Sequence, residues 1–303
     1  MSLASKRYLV TLKMRGYSPE TIKCRKIYYR HLSILLNNPD IDKVDLEKLH
    51  RLFIRQHLQN TTIFHYLKHT QMLLRYFELP SQYDLPKTQE TERPYLARKE
   101  VMQIIDKIGL KSIIDYRDRA LIYFLFDTGL RISEALNLTR ESIDLENGIG
   151  RVRQKGGGIR PFYLTRQASK YLLELMKLHQ EDELFFGLKG NSATKYQKTP
   201  FRRSSALRVF KERAGAAGIK KKVGLHSLRH SFAFDLLLNG CDILTLQRLM
   251  GHKAISSTMK YVHLCDNTLY ENYHLYKSAQ TTYEVSKKRG LLPGFKIKLQ
   301  IIK

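Results

Sequence analysis

The chain has 303 residues, 43% of them hydrophobic, with only 17 Gly and 8 Pro, which excludes collagen-like and wholly disordered chains and leaves length for two globular domains. No window approaches the roughly 18 uninterrupted apolar residues of a membrane span. The three cysteines, Cys24, Cys241 and Cys265, lack metal-ligand spacing, so no disulfide framework, metal or cofactor is expected and a reducing cytoplasm fits.

The net charge of +25 is the informative number. Residues 1–90 hold 15 Lys and Arg against 8 Asp and Glu, a surplus of +7, and the remainder carries +18. Positive charge spread over two folded units, rather than gathered in a tail, predicts a long polyanion lying against both. Nucleic acid is the leading partner, and no membrane is expected.

Periodicity predicts four helices in the first unit: Leu3 to Met14, Pro19 to Leu36, and stretches around Val44 to Leu58 and Thr61 to Leu79. Ser18-Pro19-Glu20 supplies an N-cap, a first-turn proline and an acidic group on the positive end of the helix dipole. That helix carries Lys23, Arg25, Lys26 and Arg30 among tyrosines, a face that tracks phosphates or is simply solvated. Residues 1–82 form this domain. A polar run bearing Pro86 and Pro94 then marks a linker over residues 83–95.

Beyond the linker, Lys99 to Ile108 and Arg117 to Phe126 read as helices. Ile149 to Leu164 reads as two alternating strands joined by Gly156-Gly157-Gly158. The expected fold class is mainly α with a small β-sheet, in a second domain spanning residues 96–280. Residues 281–303 lose the pattern and are expected to be an appended strand or a loose tail.

The densest stretch runs from Val223 to His263. Leu228, Phe232 and Leu236 mark the core-facing side of a helix that ends at Gly240, and His226 and Arg229 share a side of its start. Asp242 caps a second helix, Ile243 to Met250, whose end at Gly251 presents His252. Nine residues later stands Tyr261. Taken singly, each of these is a helix-end cation, a surface charge or a packing ring. Together they place two histidines, an arginine and a tyrosine at helix boundaries within forty residues.

These residues carry a resemblance. Thr128-Gly129-Leu130-Arg131-Ile132-Ser133-Glu134, His226-Ser227-Leu228-Arg229-His230, Leu249-Met250-Gly251-His252 and Tyr261-Val262-His263 resemble the tyrosine recombinase (phage integrase) family in letters and spacing. The resemblance implies that Arg131 is the first catalytic arginine and Lys155 the hairpin lysine. It makes His226 and Arg229 the His-x-x-Arg pair, His252 the second histidine and Tyr261 the nucleophile. It further implies a helical core-binding domain and a catalytic domain that clamp DNA, with a layout closest to the Xer-like simple recombinases and no separate arm-binding domain. A homotetramer on two paired sites, assembled by exchanging a C-terminal helix between Leu264 and Ala279, follows from it too. So do a nucleoid-associated location and a related recombinase or accessory protein as partner. The glycine tip beside Lys155 departs from the polar tip usual in the family.

The chemistry asks for these residue types independently of the name. Breaking a phosphodiester without water needs a nucleophile that becomes a covalent phosphoryl carrier, and a phenol suits because its phosphodiester keeps the bond energy for reversal. Guanidinium forks bind the non-bridging oxygens bidentately and stay charged. The leaving alkoxide needs a proton, for which Lys155 is the better candidate beside His226 and His252. Three rival readings remain at this level. His226 and His230 at i, i+4 suggest a zinc hydrolase but lack a glutamate between them. Asp242 to Tyr261 reads also as a helix-turn-helix of a non-catalytic regulator. A type IB topoisomerase shares the tyrosine chemistry.

Overall fold

The computed structural model describes residues 3–37, 40–88, 94–154, 157–189 and 197–261. The chain divides into two compact units, Met1–Glu92 and Arg93–Lys303.

The first unit is built of α1 (Leu3–Met14), α2 (Pro19–Leu35), α3 (Leu46–Arg55) and α4 (Asn60–Tyr76), with one 3₁₀ turn at Ile41–Lys43. Ser18 caps α2, its hydroxyl accepting from the Thr21 amide at 3.3 Å, and Asp45 caps α3 by accepting from the amides of Glu47 and Lys48. Apolar side chains at helical spacing on α3 and α4 close the core, with Phe53, Leu49, Ile63, Leu67 and Leu74 fully buried. Each contributes about 1.5–3 kcal/mol of transfer free energy, so Phe53→Ala is the substitution this unit tolerates least. The segment from Ser81 to Leu85, part of which composition assigns to the linker, packs here. Gln71 donates to the carbonyls of Ser81 and Tyr83, and Tyr83 and Leu85 lie on the core.

Arg25 corrects the reading of α2 as one basic face. It stands four and seven residues before Tyr29 and Leu32, so the 3.6-residue period turns all three inward. Arg25 is buried, donates to Tyr8 Oη at 3.0 Å and sits over the rings of Tyr8 and Tyr17. Lys23, Lys26 and Arg30 are exposed.

The second unit opens with α5 (Arg98–Lys107) and α6 (Ile113–Thr128). The latter starts earlier than periodicity implies, because Ser112 and Asp115 cap one another. Every residue from Arg117 to Phe126 is buried, so the helix has no polar face to mark its length. A one-turn helix α7 (Ile132–Ala135) leads to strands β1 (Ile143–Asp144), β2 (Ile149–Arg153) and β3 (Ile159–Tyr163). They form one antiparallel sheet in that order, with Val152 opposite Arg160. Strand alternation turns Gly150, Val152, Arg160 and Phe162 inward, and Gly150 leaves room for Phe162, whose ring lies 2.1 Å from where a Cβ would stand.

Helix α8 (Arg166–Met176), the hairpin of β4 (Phe186–Lys189) and β5 (Gln197–Pro200), and α9 (Arg203–Ala216) follow. None of these was marked by the sequence reading. The unit ends in α10 (Leu225–Leu238), α11 (Ile243–Met250) and α12 (Ser256–Met259). Helix α6 packs between α8 and α10 and carries the centre of the core, with Phe124, Leu172, Phe210 and Leu228 fully buried. Among the described residues the segment after Gly251 holds a single helical turn, too short to lie along a groove as a recognition helix. No described helix is long and apolar enough to cross a membrane. Lys155, the C-terminal helix expected between Leu264 and Ala279, and the tail 281–303 lie outside the described residues.

Candidate active site

Helix α6 stops at Gly129, whose φ of 61° is left-handed. A Cβ there would meet the Phe232 ring at 2.2 Å, so glycine is required by both backbone and packing. The reversal delivers Arg131 to the N-terminus of α7. Glu134, three residues on, accepts from the Arg131 amide at 2.9 Å and from its guanidinium at 2.9 Å. A carboxylate is favoured at that helix end, where it satisfies an otherwise orphan donor. Arg131 keeps a third of its side chain exposed while Glu134 is buried.

Arg229 comes from the second turn of α10 and is 3% exposed. Its guanidinium donates to the carbonyl oxygens of Gly129 and Met250 and to His252 Nε2, the last at 3.0 Å. Burial, then repulsion from Arg131, push its pKa down to about 10 despite Glu134. Arg160, reaching in from β3, donates to Glu134 Oε2 at 3.2 Å and to the Leu249 carbonyl at 2.9 Å. Two guanidiniums, of Arg131 and Arg160, therefore share the Glu134 carboxylate, and Arg229 stands close enough to feel the charges of all three.

His252 follows Gly251, the left-handed residue that ends α11 (φ 62°). Burial, then the cations Arg229, Lys260, Arg131 and Arg160, push its pKa down to about 4, so it is neutral at physiological pH. Because a guanidinium can only donate, His252 Nε2 accepts from Arg229. The proton is accordingly assigned to Nδ1, which donates to Thr258 Oγ1 at 2.8 Å. His252 thus holds Arg229 and α12 together.

The Tyr261 ring is 2% exposed and packs with Phe232, Ala233, Leu246 and Met250. It lies parallel to His252 at 6.5 Å between centroids, and 5.4 Å from the ring of His230. His230 in turn is 5.6 Å from His226, which is exposed at the start of α10. The fold therefore gathers Arg131, Arg229, His252 and Tyr261 through direct contacts or a short chain of them, with His226 attached by way of His230. Lys155 lies outside the described residues, and Lys23, Lys26 and Arg30 belong to the other unit. No group of three or more His, Cys, Asp or Glu among the described residues is arranged to hold a metal ion.

Sequence reasoning missed Glu134, Arg160 and His230 as site residues. A carboxylate three residues after the arginine that opens a helix was the available signal for Glu134. For His230 it was the i, i+4 spacing from His226, and for Arg160 a charged residue on the inward parity of an alternating strand.

The pattern of the phage integrase family matches residues 94–268, well over half of the chain and all of this site. The chain belongs to the phage integrase family. Tyrosine recombinase XerD of Staphylococcus aureus is 32% identical to this family member over 199 residues, 63% of the chain and 65% of that protein, so the match spans just under two thirds of the relative's length. The solved structure of XerA recombinase, 26% identical, aligns over 90% of this chain and 97% of its own with a TM-score of 0.52. XerH site-specific recombinase, solved bound to a palindromic difH substrate, is 20% identical and shares the fold, with a TM-score of 0.66 over 90% of this chain and 85% of its own.

Proposed function

We propose that this protein is a site-specific DNA recombinase that cuts and rejoins double-stranded DNA through Tyr261. The observation that carries the reading is the uncompensated charge around Arg229. Three guanidiniums against one buried carboxylate leave a surplus of two positive charges beside a phenol, and a phosphodiester passing through its pentacoordinate transition state supplies the missing negative charge.

In this reading Tyr261 Oη forms a bond to the scissile phosphorus while the bond from phosphorus to the 5′ oxygen breaks. Arg131 and Arg229 hold the non-bridging oxygens. The phenolic proton passes to an imidazole, and we assign that role to His230, since His252 Nε2 is engaged by Arg229. His226 donates a hydrogen bond to the phosphate from the exposed start of α10. Lys155 protonates the 5′ oxygen. The product is a 3′-phosphotyrosine and a free 5′-hydroxyl, and attack by the 5′-hydroxyl of a partner strand reverses the step and exchanges strands through a Holliday junction. Four copies on two paired sites, joined by exchange of the segment from Leu264 to Ala279, would carry the full reaction. Lys23, Lys26 and Arg30 supply phosphate contacts from the first unit. Two arginines occupy the place a metal holds in a two-metal nuclease, so no cofactor is needed.

A DNA substrate nicked close to the cleavage point tests this. The wild type should form an adduct with it that survives denaturant and chelator, and Tyr261→Phe, which removes one oxygen, should bind the site and form none. An adduct on the Phe variant would assign the nucleophile elsewhere. Tight, salt-sensitive binding without any wild-type adduct would make the protein a regulator.

A further inference from the structure

The geometry points to Arg160 as a positioning residue that locks the two clamp arginines to each other; the inference deepens the recombinase reading and rests on it for the reaction affected. Its guanidinium touches both halves of the site. One amine donates to the Glu134 carboxylate at 3.2 Å, and Glu134 fixes both the backbone amide and the guanidinium of Arg131. The other amine donates to the Leu249 carbonyl at 2.9 Å, immediately before the Met250 carbonyl that accepts from Arg229.

Two adjacent carbonyls at the negative end of α11 thus take one guanidinium each, from different elements. The turn beyond them is shaped around Arg160. A Cβ on Gly251 would stand 2.5 Å from Arg160 Nε and 2.6 Å from Gln154 Nε2, so the turn that presents His252 rests directly on the β2–β3 hairpin where its strands approach the tip. Arg160 itself is 7% exposed and its Nε is buried without a hydrogen-bond partner. Such burial of a cation is costly unless its charge is used. Here the use is geometric: phosphate clamps work only when held within a fraction of an ångström, and Arg160 ties the loop bearing Arg131 to the turn bearing His252.

Lysine at this position keeps the charge, but its single ammonium on a shorter reach meets one acceptor and not both. Arg160→Lys should therefore lower the rate of adduct formation at saturating DNA by roughly tenfold to a hundredfold, the cost of one charge-assisted hydrogen bond, while leaving affinity for the site unchanged. The loss should be shared with Glu134→Gln, so that the double variant is no slower than the slower single variant. A readout independent of cleavage is the NMR titration of His252, which is faced by Arg229, Lys260, Arg131 and Arg160. Loosening the turn admits water, and Arg160→Lys should move that titration up toward the ordinary histidine range with the charge count unchanged. Wild-type rate and titration in Arg160→Lys, or losses with Glu134→Gln that simply multiply, would overturn the inference. A shifted titration in a chain whose wild type makes no adduct supports the positioning role and overturns the recombinase reading alone.

Discussion

Two arginine clusters lie in the interior of the second unit, and their charge balance differs. At the junction of α6, α9 and the β4–β5 hairpin, Arg117 and Arg213 share Asp118 at 2.6 and 2.7 Å, and Arg213 also reaches Asp115 at 2.8 Å. Two guanidiniums meet two carboxylates, and Arg117 donates its remaining amine to the Phe186 carbonyl and covers the Phe201 ring. Burial would lower the pKa of Arg213, but Asp118 and Asp115 outweigh it and raise it. Around Arg229 the outcome is reversed: burial and Arg131 outweigh Glu134, and the pKa falls to about 10. A neutral cluster is finished when the chain folds. A cluster left with surplus charge is completed by something else, and that difference separates a structural from a functional use of the same side chain.

The largest effect is expected where the neutral cluster is broken. Asp118→Ala strands the Arg117 guanidinium, 5% exposed, and leaves the half-buried Arg213 with Asp115 alone, and should cost about 3–5 kcal/mol of unfolding free energy. Thermal or urea unfolding of the whole chain checks this, and a loss below about 1 kcal/mol would mean that the cluster contributes little.

The surplus cluster predicts a pH dependence of opposite origin. His252 is shifted down from 6.5 to about 4 by burial and surrounding cations, so the unfolded chain takes up a proton before the folded one does. The stability this group contributes is full above pH 6.5 and is lost as pH falls through that window. His69, in the first unit, is shifted the same way by burial, so His252→Gln should remove only part of the acid destabilisation. Unfolding midpoints measured between pH 7 and 4 decide it, and an unchanged profile would place His252 in water.

Much of this contrast was legible in the sequence, and the remainder was hidden for identifiable reasons. His226, Arg229, His252 and Tyr261 were readable as candidates because each stands near a helix boundary, and Arg131 through the resemblance of Thr128–Glu134 to the family motif. The buried length of α6 was not, since a helix apolar on all sides has no period to read. Helices α8 and α9 and the β4–β5 hairpin passed unmarked. Arg25 was misread because a cation followed by Tyr29 and Leu32 at helical spacing faces inward, where Tyr8 receives it. Glu134 and Arg160 each carried a local signal, but the pairing between β3 and α7 that joins them is one that no local pattern announces.

The smallest effects belong to the first unit, where the same comparison recurs within one helix. Lys26→Ala and Arg30→Ala should each reduce the salt dependence of DNA binding by about one unit in the log–log slope, leaving folding unchanged. Arg25→Ala should leave that slope alone and lower the stability of the unit instead. Binding titrations across salt concentrations separate the two outcomes, and a slope change for Arg25→Ala alone would invert the assignment.

The most direct test of the account asks whether the surplus charge answers the scissile phosphate. On an ordinary phosphodiester, Arg131→Ala should slow adduct formation on the order of a hundredfold, with stability unchanged or raised, because Arg131 is one of the charges that depress Arg229. On a substrate whose scissile phosphate is replaced by an uncharged methylphosphonate, one oxygen no longer needs a partner, and the same substitution should cost far less. Equal losses on both substrates would contradict the account and place the work of Arg131 away from the phosphate.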